Sequence, residues 1–142
     1  MLDQVIARLK AKVPDLERVD DAASLAELLP SKALSPAPVM AYVVPLGLVG
    51  TGADAMSGVI DQGVKETIGV VLVIRGTDPK GSRVLKTLHP FIIDVIAALV
   101  GWAPNDEAGV FELNRGAQLS MARGVLIYQL DFSINDQLRI TP

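Results

Sequence analysis

The side chains that could carry out chemistry in this chain are few and widely separated. Its 142 residues include no cysteine and a single histidine, His89, which directly precedes Pro90. A lone histidine can act as an acid or a base, but it has no second histidine with which to share a transition metal. We therefore interpret His89 as a structural helix residue. The absence of cysteine excludes thiolate catalysis, disulfides and zinc–thiolate sites together.

The acidic residues form no recognisable catalytic pair. Asp20 and Asp21 are sequence neighbours in a predicted loop, as are Asp106 and Glu107, and acids in that position usually cap helices. An enzyme that uses only carboxylates needs two acids that meet in one pocket although they are distant in sequence. No pattern brings two such acids together here. An enzyme is therefore the least favoured of three hypotheses, and we expect no enzymatic activity.

The glycine-rich segment 47–58 lacks the features of a phosphate-binding loop. Such a loop needs a Lys and a Ser or Thr directly after its glycines, at the start of a helix. Here no Lys follows the glycines at the required place, and strand-like residues come next. We interpret the segment as a mobile loop between two strands that becomes ordered on assembly. We expect no cofactor and no bound metal.

Charge and hydropathy limit the kinds of partner. The net charge is −3, and no block of five Lys or Arg residues occurs, so we expect no nucleic-acid binding. No run of about 18 apolar residues is present, and the first residues lack a signal-peptide pattern, so we expect no membrane association. Half of the residues are hydrophobic. This surplus indicates unusually complete burial or a surface that other subunits cover.

The sequence predicts three helices. Apolar residues recur at intervals of three and four in the first and the longest, with charged residues on the opposite face of the first. The short helix between them is predicted from Asp20 and Asp21 as N-caps and from Pro30 as its end. Pro90 lies inside the longest and predicts a kink or a restart there. The predicted helices are residues 2–13, residues 22–29 and the segment from Ser82 to Gly101. Residues 30–38 hold three prolines and are interpreted as an ordered loop.

Apolar runs and two-residue alternation predict four strands. Pro45 cannot donate a backbone hydrogen bond and is expected to end the first, Gly116 is expected to end the third, and residues 117–123 are expected to carry a hairpin turn. The strands are residues 39–44, 59–75, 110–115 and 124–136. The fold class is therefore α+β: a roughly four-stranded, mostly antiparallel sheet with helices packed on one face, in a single domain that spans residues 1–142.

Six stretches, taken in order, resemble the tail terminator (tail completion) proteins of long-tailed bacteriophages and prophages. They contain no catalytic motif, and they span nearly the whole chain. The stretches are residues 1–9, 45–47, 69–73, 101–104, 109–113 and 128–132. The resemblance implies a structural protein that forms a ring, typically a hexamer, on the head-proximal end of the tail tube. Such a ring ends tail polymerisation and provides the surface that joins the head.

The resemblance also implies the partners and the location. The partners are further copies of the chain, the tail tube protein and the head–tail connector (neck) protein. The protein is expected in the cytoplasm of the bacterial host during assembly and then in the virion tail. The alternative hypothesis, based on the same α+β layout, is a small intracellular protein-binding adaptor without a phage role. An adaptor would be a stable monomer or a two-fold dimer rather than a ring.

A ring closed by rotation needs two different contact patches on each subunit. We expect the glycine-rich segment to provide one patch, and arginines that close strands or turns to meet a partner elsewhere, although arginines there can equally protect sheet edges. The predicted interface residues are Gly50, Gly52, Met56, Arg75, Arg115 and Arg123. Trp102, which follows the longest helix, is interpreted as a core residue over the helix end rather than as an interface anchor.

Overall fold

The computed structural model describes residues 1–23, 39–76, 82–105, 109–122 and 124–142. Within these ranges the fold is α+β, with two helices and a mixed five-stranded sheet of order β1-β2-β3-β5-β4. The elements are α1 (Leu2–Lys12), β1 (Arg18–Asp21), β2 (Val39–Met56), β3 (Val59–Arg75), α2 (Ser82–Leu99), β4 (Glu112–Ala122) and β5 (Val125–Ile140). The predicted helix 22–29 lies outside the described residues except for Ala22 and Ala23, and the predicted loop 30–38 lies wholly outside them.

Both helices pack against the same face of the sheet, as the sequence predicted. In α1, Val5 and Leu9 are fully buried, and α2 buries Val95 and Leu99 in the same cluster. Alternate residues of the central strands complete this cluster, because successive strand residues point to opposite faces. They include Ile68, Val70, Leu72 and Ile74 of β3 and Leu126, Leu130, Phe132 and Ile134 of β5. We call this face of the sheet the helix-side face.

Strand β1 was missed by the sequence prediction. It has four residues and buries one hydrophobic side chain, that of Val19, so its apolar pattern is too short to detect. Asp20 was interpreted as a helix cap, but it lies in this strand and accepts a hydrogen bond from the Arg18 Nε at 2.5 Å. Strand β1 pairs with β2 in parallel, whereas every other pair in the sheet is antiparallel. The sheet is therefore mixed, with one strand more than predicted.

The largest correction concerns the segment 47–58, which is not a loop. Strand β2 continues through Pro45 to Met56 and pairs with β3 along its whole length. Two register shifts, between Pro45 and Gly47 and between Gly50 and Gly52, leave Leu46 and Thr51 unpaired, whereas Pro45 itself is aligned with Ile68. The strands are joined at Ser57 and Gly58, whose φ angles of 49° and 79° are those of a tight hairpin turn. Pairing with the regular strand β3 outweighs the weak strand preference of the glycines.

Strand β4 and helix α2 both continue through a residue that was expected to interrupt them, Gly116 in β4 and Pro90 in α2. Gly116 does not end β4, which reaches Ala122, so the hairpin turn follows the strand instead of occupying residues 117–123. Helix α2 includes Pro90 within a single helix, so the predicted restart is not observed. It is followed by Gly101, whose φ of 82° is typical of a residue that ends a helix.

Trp102 packs at the border of the core. Its ring stacks on Phe111, with the ring centroids 6.1 Å apart. The Arg8 guanidinium lies 5.1 Å from the centre of the Trp102 ring, and the Arg8 Nε donates a hydrogen bond of 2.9 Å to the Ala98 carbonyl oxygen. These contacts join α1, α2 and the segment before β4. They place Trp102 against the core as a partly buried residue, as the core interpretation predicted, and not in its fully buried part.

Gly124, directly before β5, provides a test of the hairpin that joins β4 to β5. Its φ is 75°, and a Cβ built there would lie 2.5 Å from the Gly76 carbonyl oxygen. We expect Gly124→Ala to lower the free energy of unfolding by about 2–3 kcal/mol, because backbone strain and a steric clash add together. Gly47→Ala is the matched control, since nothing lies within 4 Å of a Cβ at Gly47. Equal urea midpoints for the two variants would contradict this account.

A second, smaller apolar cluster lies on the sheet face opposite the helices. It consists of Met40, Tyr42, Val71 and Val73, all buried. The Tyr42 hydroxyl donates to the Met40 Sδ at 3.5 Å. Burial raises the pKa of the Tyr42 phenol above its ordinary value of 10.0, because the low-dielectric interior disfavours the phenolate.

This raised pKa predicts a loss of stability in alkali. Above pH 10 the Tyr42 phenol loses its proton in the unfolded chain before it does so in the folded chain, so the free energy of unfolding falls as the pH rises from 10 towards the folded pKa. Below pH 10 this contribution is fully present. Tyr42→Phe should therefore show a shallower decline between pH 9 and pH 11, measured by urea denaturation. Parallel declines in the two proteins would contradict the prediction.

Candidate assembly surface

Half of the β2–β3 hairpin extends past the helices. Helix α2 has 18 residues and is about 27 Å long, whereas β2 has the same number of residues and spans about 60 Å. The helices therefore cover only part of the strands. The part that extends beyond them is three-stranded and consists of residues 45–56 of β2, 59–67 of β3 and 135–140 of β5. We call this part the arm.

The arm exposes large apolar side chains to solvent. In β2, residues 39–43 are buried, and every residue from Pro45 to Met56 is exposed. Six large apolar residues of the arm are 44–76% exposed: Leu46, Leu48, Val49, Met56, Leu138 and Ile140. Contiguous apolar patches on a protein surface usually mark sites of contact with other molecules. The arm is therefore the first candidate for a binding surface.

The two faces of the arm differ in chemistry. Cross-strand pairing places Ile60 between Ala55 and Ile140, and the helix-side face continues from there through Leu138 and Val64 to Leu48. The opposite face carries an ion pair, in which the Arg139 Nε lies 3.2 Å from the Asp61 Oδ1. Asp54 lies across the strand pair from Asp61 on that face. The helix-side face of the arm thus exposes Leu48, Leu138 and Ile140, with Glu66 and Asp136 beside them. The opposite face carries the charges of Asp54, Asp61, Lys65 and Arg139, and it also exposes Val49 and Met56.

Both outer edges of the sheet offer backbone groups for pairing. Strand β1 pairs with β2 only from Met40 to Val43, so the edge of β2 along the arm has no strand beside it among the described residues. At the other side of the sheet β4 pairs only with β5, and nearly all of its side chains are exposed. Three of these are large and apolar: Leu113, Leu119 and Met121. Residues 116–122 carry no charge, although edge strands are usually protected by charges or proline.

The predicted interface residues do not form one cluster. Gly50, Gly52 and Met56 lie on the β2 edge of the arm, and Arg115 lies on β4 at the opposite edge. Arg75 ends β3, about 50 Å along the strand from the hairpin turn. Arg123 lies outside the described residues. The roles of all six residues in an interface stay predictions.

The sequence prediction missed the exposed apolar side chains of the arm and of β4. One signal was present, because the two-residue alternation of apolar residues continues past Asp136 to Leu138 and Ile140. The predicted strand 124–136 could therefore have been extended to Ile140. No comparable signal marks Leu48 or Val49 as exposed. Their exposure depends on where the helices stop covering the sheet, which is a property of the folded chain.

The described residues offer little for catalysis. No group of three or more His, Cys, Asp or Glu side chains among them is placed to hold a metal ion. His89 is exposed on α2. A shallow cavity of about 160 Å³ lies beside β4, where the Gln129 Nε2 donates to the Asp131 Oδ1 at 2.8 Å, and Arg115 lines the same cavity. Of the helices that the structure describes, none has both the length and the hydropathy to cross a membrane.

An exposed apolar arm and two open sheet edges are features of structural subunits, which act by packing against other chains. Residues 2–142 match the family model described as phage tail terminator protein. The chain therefore belongs to the phage tail terminator family, and the predicted resemblance is confirmed. This is a family of phage structural proteins and not of enzymes. No curated protein matches the chain.

Proposed function

We propose that the chain forms an oligomeric ring that caps the head-proximal end of the phage tail tube. The ring ends tube polymerisation and provides the surface that joins the tail to the head. Membership of the tail terminator family supports a role in the tail, and the exposed apolar arm is the observation that carries the proposal of a ring. Residues 1–142 act in it as one domain.

The ring has three kinds of partner. Further copies of the chain, six in all, form the ring itself, the tail tube protein lies on one side, and the head–tail connector (neck) protein lies on the other. Assembly takes place in the cytoplasm of the bacterial host and leaves the ring in the virion tail. Capping a tube is a binding process, so it needs no cofactor and no contact with nucleic acid.

The candidate residues lie in different parts of the subunit, which supports assigning them to contacts with different partners. The arm edge, with Gly50, Gly52 and Met56, and the β4 edge, with Arg115, lie on opposite sides of the same sheet. A rotational ring needs two such non-equivalent patches on every subunit. We assign these two edges to contacts between copies of the chain. Arg75, at the far end of β3 from the arm, is assigned to the tube or to the neck, and Arg123 follows β4 in sequence.

Tube growth in the presence of the chain tests this function. Purified tail tube protein is allowed to polymerise with and without the chain, and tube lengths are measured by electron microscopy. We expect growth to stop early, with a shorter mean length that falls as more chain is added. A protein of similar size and charge serves as the control. Unchanged tube lengths at every ratio would contradict the proposed function.

A further inference from the structure

The two open edges of the sheet differ in sequence, and their strands run in opposite directions. We propose that the β2 edge of the arm pairs with the β4 edge of a second copy of the chain, so that one continuous sheet joins neighbouring subunits. This inference rests on the proposed ring. It adds the identity of the two surfaces, the direction of the strands and the register of the contact.

Strand direction makes the pairing antiparallel. Strands β2 and β5 run in one direction and β3 and β4 in the other, because each pair from β2 through β3 and β5 to β4 is antiparallel. Rotation about an axis inclined at roughly 45° to the strands leaves β4 of one copy and β2 of the next closer to antiparallel than to parallel, and it turns all helix-side faces the same way relative to the axis. The β4 of the next copy then meets β2 as an antiparallel neighbour. Because the two edges are different, the contact is heterologous, and repeated rotation closes a ring.

Charge fixes the register. Asp54 is the one charged residue among residues 45–56, and Arg115 is the one positively charged residue of β4. Both lie on the face opposite the helices, since their cross-strand neighbours Asp61 and Asp131 lie on that face. Among the described residues, neither Asp54 nor Arg115 forms an ion pair. Arg115 already faces Asp131 of its own chain, so placing Asp54 on the open side of Arg115 sets the arginine between two carboxylates. Asp54, which faces Asp61 in its own chain, gains a neighbour of opposite charge.

The same register brings apolar side chains together on the helix-side face. The count from the Asp54–Arg115 pair passes over the unpaired residue at each register shift, namely Thr51, Asn114 and Leu119. It then places Ala55 opposite Leu113 and Leu48 opposite Met121. Leu48, Leu113 and Met121 are all exposed in the single chain. Apolar pairs across strands stabilise a sheet, so the contact covers side chains that are otherwise in water.

The register also requires neighbouring subunits to be staggered. Positions on the two edges can be compared along β3. Asp54 is aligned with Asp61 of β3, and Arg115 is aligned through β5 with Gly69 of β3, which is eight residues further along that strand. The next copy is therefore shifted along the strands towards the hairpin turn by about 26 Å, which is close to the width of five strands at about 4.8 Å each. A closed ring has no shift along its own axis, so the strands are inclined to that axis by roughly 45°. Stagger between tilted strands is a general requirement for closing a sheet on itself. The shift also moves the neighbouring β4 past β1, which otherwise covers the first part of the β2 edge.

Cysteine cross-linking tests the contact, since the chain has no cysteine of its own. The variant with Ala55→Cys and Leu113→Cys should form disulfides between copies under mild oxidation, giving a ladder of bands that ends at the closed ring. The control variant combines Ala55→Cys with Met121→Cys. Its two thiols would lie about 20 Å apart in the proposed register, too far for a disulfide. We expect its cross-linking yield to be at least about tenfold lower.

Charge reversal tests the register independently. Asp54→Arg and Arg115→Asp each place like charges opposite one another across the contact, and each should weaken association by about tenfold. The double variant restores opposite charges across the contact and should recover part of the ring yield, because the new aspartate at position 115 still faces Asp131 of its own chain. Rings that form without the Ala55–Leu113 cross-link, or with equal cross-linking in both cysteine variants, would overturn the pairing and leave the proposed function standing. Absence of any oligomer, with or without tail tubes, would overturn both.

Discussion

Leu48→Lys should abolish ring formation and leave the fold intact. Leu48 is 64% exposed on the edge strand of the arm, so its replacement removes little buried surface. Lysine on an edge strand opposes pairing with another strand, because its charge must stay in water. We expect the free energy of unfolding to change by no more than about 0.5 kcal/mol, and we expect association to weaken by more than about tenfold.

Leu85→Lys is the matched control for this variant. Leu85 is also a large, exposed apolar residue, with 48% of its surface accessible, but it lies on α2 and away from both open edges. Light scattering should find rings in the Leu85→Lys protein and only small species in the Leu48→Lys protein, whereas urea midpoints should be similar. Rings of normal yield in both variants would show that the arm is not part of the assembly surface.

Phe132→Ala should cause the largest loss of stability of the changes considered. Phe132 is fully buried on the helix-side face of β5, among side chains of both helices and of β3. Truncating a buried phenylalanine typically costs about 3–5 kcal/mol, through lost burial and the cavity left behind. Domains are typically stable by only about 5–15 kcal/mol, so a large part of the folding free energy would be lost. Urea denaturation measures the change.

Ile140→Ala, on the same strand, is the comparison that distinguishes the contribution of the arm to stability from that of the core. Ile140 is 46% exposed near the end of β5, and we expect its truncation to cost less than about 1 kcal/mol. A much larger loss in the free energy of unfolding for Phe132→Ala would show that the part of the sheet beneath the helices stabilises the chain. The arm would then contribute little to stability and could bind another chain. Equal losses would mean that the arm is part of the cooperative core.

Sequence pattern predicted the elements whose own residues determine their structure. Strand β3 has the predicted bounds, because its apolar residues alternate at first and then occupy both faces. Helices α1 and α2 follow from apolar residues at helical spacing. Strand β2 could not be predicted beyond Val44, because its proline and glycines disfavour a strand and its partner β3 overrides them. The four residues of β1 contain too little pattern to recognise.

The candidate surface was predicted only in part. The sequence directed attention to Gly50, Gly52 and Met56 because their segment is uncharged and rich in small residues, and these residues do lie on an exposed edge. The interpretation of residues 47–58 as a mobile loop was wrong, since the segment is a strand paired with β3. The apolar character of the surface comes from strands that are longer than the helices that cover them. That mismatch emerges only when the elements are packed together.

Imaging the ends of tail tubes assembled with the chain tests the central claim most directly. Electron microscopy with image averaging can determine whether one end of each tube carries additional density and what its symmetry is. We expect a six-fold annulus at one end, with strands continuous between neighbouring subunits, and we expect the annulus to be lost in the Leu48→Lys variant. Tube ends without added density, or chains bound along the sides of the tubes, would contradict it.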